Sequence, residues 1–173
     1  MSTPEQAKPP EGSPYFLMSD EQIRAWYAYM KVQLRLRYEM NRQLQADSGL
    51  SLPDYDVLVA LTSEPAATMR IAALATRLGW ERSRTSHHVR RMQQRSLLET
   101  STAVEDGRAT DVRLTPQGWH ALRSATPSHV ELVKSIFLDA LDETDLDQLA
   151  DIMERVYERL IDNGTLPRPA DHP

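Results

Sequence analysis

Hydrophobic and polar residues alternate strictly between Met30 and Met40, which by periodicity alone is the pattern of a β-strand. The residue types contradict that periodicity, because Met, Leu, Arg, Gln, Lys and Glu are strong helix formers. Upstream, Ser19 and Gln22 fit a capping box, and no glycine or proline follows until Gly49. We therefore predict one long helix that is apolar on more than one side because it is buried between partners.

Two shorter segments follow whose apolar residues fit one face of a helix. The first is predicted to start at Ser51 and to stop near Ser63. The second covers 69–78 and ends at Gly79, a residue that favours helix C-termini. After a very short turn comes the stretch WERSRTSHHVRRMQQR at 80–95. Two helices joined by so short a turn are typical of a helix-turn-helix.

A β-hairpin is predicted directly after the helix-turn-helix. Residues 97–103 and 109–114 are short segments rich in Thr and Val, and Asp106-Gly107 between them is a strong turn signal. A hairpin in this position is a wing. The predicted fold is therefore mainly α-helical with a small β-hairpin wing, a winged helix-turn-helix combined with an α-helical dimerisation region.

The C-terminal third is predicted to form two further helices. Thr115 and Pro116 fit the N-cap and the first helical position of a long one. The last helix carries apolar residues at alternating spacings of three and four, which is the a/d seam of a coiled coil. Because the first and last helices lie outside the winged unit, we predict that this seam pairs two copies of the chain. The predicted dimerisation residues are Leu146, Leu149, Met153, Val156 and Leu160.

The composition is that of one globular domain, with 173 residues of which 40% are hydrophobic and 26% charged. No apolar run approaches the length of a membrane span, and the N-terminus lacks the basic and apolar segments of a signal peptide. The absence of cysteine excludes disulfides, thiolate metal sites and thiol redox sensing. We therefore expect a cytoplasmic protein without a membrane partner.

The net charge of −5 argues against a nucleic-acid partner, but the distribution of charge changes this picture. Between Arg70 and Arg95 there are seven arginines and one acid, Glu81, whereas acids are concentrated between Glu131 and Asp162. An ordinary solvated helix face would mix both signs. A local basic stripe on an acidic chain is the electrostatic pattern of a surface that binds nucleic acid.

A helical wheel of 80–95 separates an inner from an outer face. Thr85, His88, Val89 and Met92 are predicted to face the core, with His88 partly buried. The outer face consists of donors, acceptors and cations, which can reach base edges or phosphates, and such a helix fits the major groove of DNA. The predicted DNA-contacting residues of this helix are Arg82, Ser83, Arg84, Ser86, His87, Arg90 and Arg91.

Two other chemistries for this stretch are disfavoured. Ser86 and His87 lie about 100° apart around a helix, so they diverge, and no acid follows at a spacing that could orient the histidine. His87 and His88 diverge in the same way, and His120 and His129 point to opposite sides, so neither pair has the i, i+4 spacing of a helical metal site. We predict no enzyme, no cofactor and no metal, although ligands assembled across a dimer stay an open alternative.

The predicted domain organisation has five parts. Prolines near both ends of the chain, with little that could pack, indicate terminal segments without fixed structure. The winged lobe lies between two helical regions. The predicted boundaries are a flexible N-terminal arm at 1–18, a dimerisation helix at 19–48, a winged helix-turn-helix DNA-binding lobe at 50–114, C-terminal dimerisation helices at 115–162 and a flexible tail at 163–173.

In order and spacing, the segments LSLPDYDVLVAL, IAALATRLGWERSRTSHHVRRM and EDGRATDVRLTPQGW resemble the MarR family of bacterial transcriptional regulators. The resemblance extends over residues 20–162 and implies a triangular homodimer in which the first and last two helices join two winged lobes. Unlike the family's redox-sensing branch, the chain has no cysteine in its first helix. The most specific part is the wing, with the family's Asp-x-Arg motif and the following Leu-Thr-x-x-Gly. The matching residues are Asp106, Arg108, Leu114, Thr115 and Gly118.

The resemblance further implies that Arg108 enters the minor groove of DNA, where narrow A·T-rich sequence attracts arginine. Asp106 is predicted to hold Arg108 in position, with the alternative that it is only a turn residue beside Gly107. The implied function is that of a homodimeric regulator, predicted to be a repressor, on a pseudo-palindromic double-stranded DNA operator. Relatives vary at His87 and His88, so the operator sequence does not follow from the resemblance.

Many members of the family are released from DNA by a small aromatic or phenolic effector bound between the dimer helices and the DNA-binding lobe. Aromatic rings with polar tips suit such a ligand, although aromatics at helical spacing are more often core residues. The alternative function is a winged-helix module that binds another protein without reading DNA, which would not require the arginines to gather on one side. The candidate pocket residues are Trp26, Tyr29, Met30, Tyr55 and Trp119.

Overall fold

The computed structural model describes residues 12–64, 66–103 and 109–169, which are mainly helical as predicted. The chain divides into two units, 1–39 and 40–173. None of the described helices is long and apolar enough to cross a membrane. The elements are α1 (Asp20–Ser48), α2 (Leu52–Thr62), β1 (Thr68–Arg70), α3 (Ile71–Leu78), α4 (Arg82–Gln94), β2 (Leu98–Thr102), β3 (Thr110–Leu114), α5 (Pro116–Ile136) and α6 (Glu143–Asn163), with 3-10 helices at Pro14–Leu17 and Leu138–Ala140.

Helix α1 begins in the first unit and runs without interruption through the alternating segment, as its helix-forming residues predicted. The predicted capping box is present, because the Ser19 N–H donates to Gln22 Oε1 at 2.9 Å and the Gln22 N–H donates to Ser19 Oγ at 3.3 Å. Within the predicted N-terminal arm, Pro14–Leu17 form a short 3-10 helix. The ring of Tyr15 lies 4.8 Å from that of Tyr27, a contact that the prolines of this segment did not indicate.

The core of the second unit combines the last turns of α1 with α2 to α5 and the sheet. Ser51 caps α2 in a capping box with Asp54, close to the predicted start of this helix. The buried faces of α3 and α4 are those that the hydrophobic pattern predicted. Core residues with almost no solvent exposure are Leu44, Leu50, Val57, Leu58, Leu61, Leu74, Val89, Met92 and Val112.

The sheet has three antiparallel strands in the order β1-β3-β2, rather than the two of the predicted hairpin. The hairpin itself is confirmed, with Thr100 of β2 opposite Val112 of β3. The additional strand β1 places Met69 opposite Val112, so the prediction of helix from residue 69 was wrong over 69–70. Three residues are too few to show a strand periodicity, and Met69 is buried here by pairing with a distant strand.

Two glycines in this unit have roles that a side chain would disturb, one through its backbone conformation and one through a close approach. Gly79 ends α3 with a φ of 65°, a left-handed conformation that glycine adopts without strain, as its predicted C-cap role requires. The Trp80 N–H then donates to the Ala75 carbonyl at 2.9 Å, so the turn before α4 is tight. At Gly118, in the first turn of α5, a Cβ atom would collide with the carbonyl oxygen of Leu97. Glycine therefore lets α5 pack against the chain that enters the wing.

The last two helices differ in how their side chains are covered. Helix α5 begins as predicted, with Thr115 Oγ1 accepting a hydrogen bond from the Gly118 N–H at 2.9 Å. In α6, all of which the structure describes, no residue is buried. Beyond α6, in the predicted flexible tail, Arg168 donates two hydrogen bonds to the Glu158 carboxylate. This part of the tail therefore reaches back to α6.

Candidate nucleic-acid interface

Helix α4 presents its predicted outer face to solvent. Thr85, Val89 and Met92 are buried on the opposite side, and the Thr85 hydroxyl donates to the Glu81 carbonyl at 3.1 Å. The hydroxyl of Ser86 donates to the Arg82 carbonyl at 2.9 Å and is partly buried. The exposed members of the predicted set are Arg82, Ser83, Arg84, His87, Arg90 and Arg91.

Not every arginine of the basic stretch belongs to this surface. Arg77 donates to the carbonyl of Ala60 at 3.2 Å, within the unit. Arg95, directly after α4, donates to Asp54 Oδ2 at 2.7 Å and to the Gly49 carbonyl at 2.8 Å. The cationic surface of α4 is therefore formed by its four arginines rather than by all seven of the basic stretch.

Asp54 is a buried carboxylate beneath α4, and the sequence did not single it out. It accepts hydrogen bonds from the Ser51 N–H at 2.9 Å and from Arg95, and its Oδ1 lies 2.9 Å from Nε2 of His88. Burial raises the pKa of Asp54, but the contacts with His88, Ser51 and Arg95 outweigh burial and hold that pKa well below its usual range. An ionised Asp54 therefore ties α4 to the start of α2 at two points.

His88 is largely buried, as predicted, with its side chain 13% exposed. Its ring meets the ring of Trp80 edge-on, with centroids 5.4 Å apart and planes at 81°. Trp80 is itself buried, and the guanidinium carbon of Arg84 lies 4.4 Å from its ring centroid. Trp80 is a second residue that the sequence did not single out, because an aromatic residue before a helix resembles any core residue.

The flank of α4 that carries Arg84 and Arg91 borders an open groove of about 470 Å³. The N-terminus of α2, at Ser51 and Pro53, lines the other side. An open groove leaves both guanidinium groups room to reach a base edge or a phosphate.

The structure describes the stem of the wing hairpin but not its tip. The Ala103 N–H donates to the Ala109 carbonyl at 2.9 Å, so the hairpin stem is closed up to these two residues. Arg108, which was predicted to contact the minor groove, and Asp106, which was predicted to hold Arg108 in position, both lie outside the described residues.

The five residues predicted to line an effector pocket are divided between the two units. In the first unit, the rings of Trp26 and Tyr29 lie 5.6 Å apart, and Met30 is partly buried. In the second unit, Tyr55 and Trp119 pack at the edge of the core. Each group is described only within its own unit, so the pocket stays a prediction.

The histidines do not form a metal cluster within the described part of the chain, which contains no group of three or more His, Asp or Glu residues suited to a metal ion. His129 is buried on α5, where its Nδ1 lies 3.1 Å from Oε1 of Gln43 and its ring centroid 4.5 Å from that of Tyr55. Burial lowers the pKa of His129, which favours the neutral imidazole.

Known proteins are similar to this chain in sequence and fold. A family model of the MarR family matches residues 48–109. The chain is similar to Sco3205, a MarR family transcriptional regulator from Streptomyces coelicolor whose crystal structure is in complex with DNA. The identity is 31% and the TM-score 0.82, over 87% of this chain and 97% of Sco3205.

Two further structures from the same organism are similar. AbsC, a MarR family transcriptional regulator, is 31% identical with a TM-score of 0.78, over 83% of this chain and 96% of AbsC. The transcriptional regulator PcaV, in complex with its natural ligand, is 26% identical with a TM-score of 0.61, over 73% of this chain and 89% of PcaV. No curated protein sequence matches the chain significantly.

Proposed function

The chain belongs to the MarR family of transcriptional regulators, and on that premise we propose that it is a homodimeric regulator that binds double-stranded DNA at specific sequences. One observation carries the proposal. Helix α4 buries one face in the core of its own unit and exposes the other, where four arginines stand beside Ser83 and His87. The proposed action at the operator is repression.

In this proposal α4 lies in the major groove with its exposed face toward the bases. The major groove accepts an α-helix, and each base pair presents there a distinct pattern of donors and acceptors. Arg84 and His87 are proposed to contact base edges, whereas Arg90 and Arg91 are proposed to contact phosphates. Phosphate contacts supply affinity for any DNA, and base contacts supply selectivity.

Two copies of the chain are proposed to pair through residues 19–48 and 116–162. Four of the five predicted seam residues on α6 are exposed in the single chain, from 37% for Leu146 to 64% for Leu160, and Leu149 is partly buried. Full burial of a large aliphatic side chain stabilises by roughly 1.5–3 kcal/mol, so these residues favour a partner surface. A two-fold dimer carries two α4 helices, which suits a pseudo-palindromic operator.

The wing is proposed to contact the minor groove through Arg108, with Asp106 holding its guanidinium by a charge-assisted hydrogen bond. The support is the match to the family's Asp-x-Arg motif and the closed hairpin stem that leads to it. Arg108→Ala should remove protection of the minor groove beside the major-groove contacts in a hydroxyl-radical footprint. An unchanged footprint contradicts this role.

A small aromatic effector is proposed to release the dimer from DNA. PcaV, with 26% identity, was crystallised with its natural ligand, and aromatic rings with polar tips are present among the candidate residues of this chain. Titration of the DNA complex with phenol and 4-hydroxybenzoate at constant salt tests the proposal. Release by at least one compound supports an aromatic effector, and unchanged binding with both argues against this class.

The alternative function is a winged-helix module that binds another protein. Within the described residues, four exposed arginines on one helix face favour a polyanion instead. The two functions differ in their response to salt, because counterion release makes DNA affinity fall steeply as salt rises.

Fluorescence anisotropy with the DNA upstream of the protein's own reading frame tests the proposed function. The wild type should bind this DNA about 10³-fold or more tightly than scrambled DNA of equal length. Arg90→Ala or Arg91→Ala should weaken binding to both DNAs. Each should lower the slope of log K against log salt by about 1.8, because a dimer loses two phosphate contacts.

Lys134→Ala is the matched control, since it removes one exposed cation from α5 and leaves α4 unchanged. Equal affinity of the wild type for operator and scrambled DNA contradicts sequence-specific binding. Equal salt slopes for the wild type and both arginine variants contradict the role of α4.

A further inference from the structure

The turn between α3 and α4 holds an aromatic ring at a fixed place beside the exposed face of α4. Gly79 reverses the chain in the left-handed conformation, and the Trp80 N–H closes the turn on the Ala75 carbonyl. The Trp80 ring is buried, so its position is set by packing. Trp80 lies just before α4, and its ring contacts two side chains one turn apart on that helix, Arg84 and His88.

Arg84 uses this ring as a platform. Its guanidinium carbon lies 4.4 Å from the Trp80 centroid, within the range of a cation–π contact. Stacking of the planar guanidinium on an aromatic face restricts the rotamers of a long side chain before any ligand arrives. Arg84 therefore loses less side-chain conformational entropy when it forms a directional contact.

The platform is supported from the core side. His88 meets the edge of the Trp80 ring at 5.4 Å, and its Nε2 lies 2.9 Å from the buried Asp54 carboxylate. Asp54 is in turn held by Arg95 at 2.7 Å. The series Asp54, His88, Trp80 and Arg84 thus connects a buried anion to an exposed cation through contacts that the structure defines at each step.

Arg90 and Arg91 on the same helix differ from Arg84. Within the described part of the chain, no hydrogen bond, ion pair or ring contact is defined for either guanidinium. Side chains without such restraint suit phosphates, which accept contacts from many directions and carry no sequence information.

We propose that Trp80 is a specificity-determining positioning residue, which holds Arg84 so that its guanidinium binds the O6 and N7 acceptors of one guanine in each half-site. This inference rests on the proposed DNA-binding function and adds the base class and the residue that sets selectivity. A bidentate contact needs both N–H groups aligned with the guanine edge, so a guanidinium held in orientation discriminates bases better than a mobile one.

The test measures base selectivity rather than affinity alone. Each G·C pair of the operator is replaced by A·T, and the ratio of dissociation constants to the parent operator is determined for the wild type. At one symmetric pair of positions the ratio should be about 10 or more. Trp80→Leu removes the aromatic face and should lower that ratio at least about threefold, whereas Trp80→Phe keeps a ring and should retain most of it.

Three further variants separate positioning from charge and from folding. Arg84→Lys keeps the cation but loses the planar guanidinium that stacks on the Trp80 ring, so it should lower the ratio while keeping much of the affinity. Arg91→Ala, the matched control, should weaken all operators alike and keep the ratio. Trp80→Leu combined with Arg84→Ala should be no less selective than Arg84→Ala alone, because Trp80 acts through Arg84.

The proposal is overturned if Trp80→Leu is folded by circular dichroism and keeps the wild-type ratio at every position. It is equally overturned if Arg84→Ala keeps that ratio, a result that does not depend on the tryptophan variants folding. A wild type without preference for any DNA sequence overturns the proposed function itself. A selective wild type with a Trp80-independent ratio overturns only the role of Trp80.

Discussion

Helices α4 and α6 are both amphipathic, but the structure leaves opposite faces of them exposed. In α4 the apolar face, with Val89 and Met92, is buried in the core of its own unit, and the polar face is free. In α6, within the described chain, no residue is buried, and the seam from Leu146 to Leu160 meets solvent. A free cationic face favours a polyanion, whereas a free apolar face favours another apolar surface. We therefore infer a different partner for each helix, DNA for α4 and a second copy of the chain for α6.

The largest effect is expected from breaking the seam of α6. Leu149→Glu combined with Met153→Glu places charges where the partner copy is proposed to pack. The dissociation constant of the dimer should rise at least about 100-fold, roughly 2.7 kcal/mol, and the chain should become monomeric or unfolded at micromolar concentration. Sedimentation equilibrium measures this change.

Gln148→Glu is the control for that experiment, because it adds a charge to α6 at an exposed position outside the seam. It should leave the dimer intact. A wild type that sediments as a monomer at micromolar concentration contradicts the proposed partner of α6.

A smaller effect is expected from the support beneath α4. Asp54→Asn removes the carboxylate that accepts a hydrogen bond from Arg95 and lies 2.9 Å from His88 Nε2. A hydrogen bond to a charged group contributes roughly 1.5–3 kcal/mol. Because the Arg95 side chain is 43% exposed, we expect a loss of about 1–3 kcal/mol in the free energy of unfolding. Urea denaturation of the variant and of the exposed control Asp147→Asn measures it, and equal stabilities contradict the role of Asp54.

The same carboxylate predicts a smaller, pH-dependent effect. The folded-state pKa of Asp54 lies below its unfolded value, so its contribution to stability is complete above the unfolded pKa of about 3.9 and is lost as pH falls below that value. The difference in free energy of unfolding between wild type and Asp54→Asn should therefore be smaller below about pH 4 than at pH 7. A difference that is independent of pH from 7 to 3 contradicts an ionised Asp54 in the folded state.

Much of α4 was predictable because its two faces differ in local sequence. Periodicity separated Thr85, Val89 and Met92 from the outer residues, and Gly79 indicated where α3 ends. These features depend on residues within one or two helical turns. The exposed seam of α6 was predictable for the same reason, since its spacing is local.

The support beneath α4 was not predictable, because it depends on contacts between distant residues. In the sequence Asp54 looks like part of a helix cap. Nothing in it reveals that Arg95, 41 positions away, donates a hydrogen bond to its carboxylate and pairs with its charge. Likewise, nothing local distinguishes Arg95 from the exposed arginines of α4. Strand β1 was not predicted, because its three residues form a strand only by pairing with β3 and show no strand pattern in the sequence.

The measurement that tests the account most directly is a hydroxyl-radical footprint of the wild-type protein on its operator, because it examines α4 and α6 together. A dimer with two α4 helices predicts two protected regions related by two-fold symmetry. Their centres should lie about one helical turn apart, roughly 10 base pairs, or a whole multiple of that distance. A single protected region without a symmetric counterpart would contradict the proposed dimer on DNA, and an operator bound without any protection would contradict groove binding by α4.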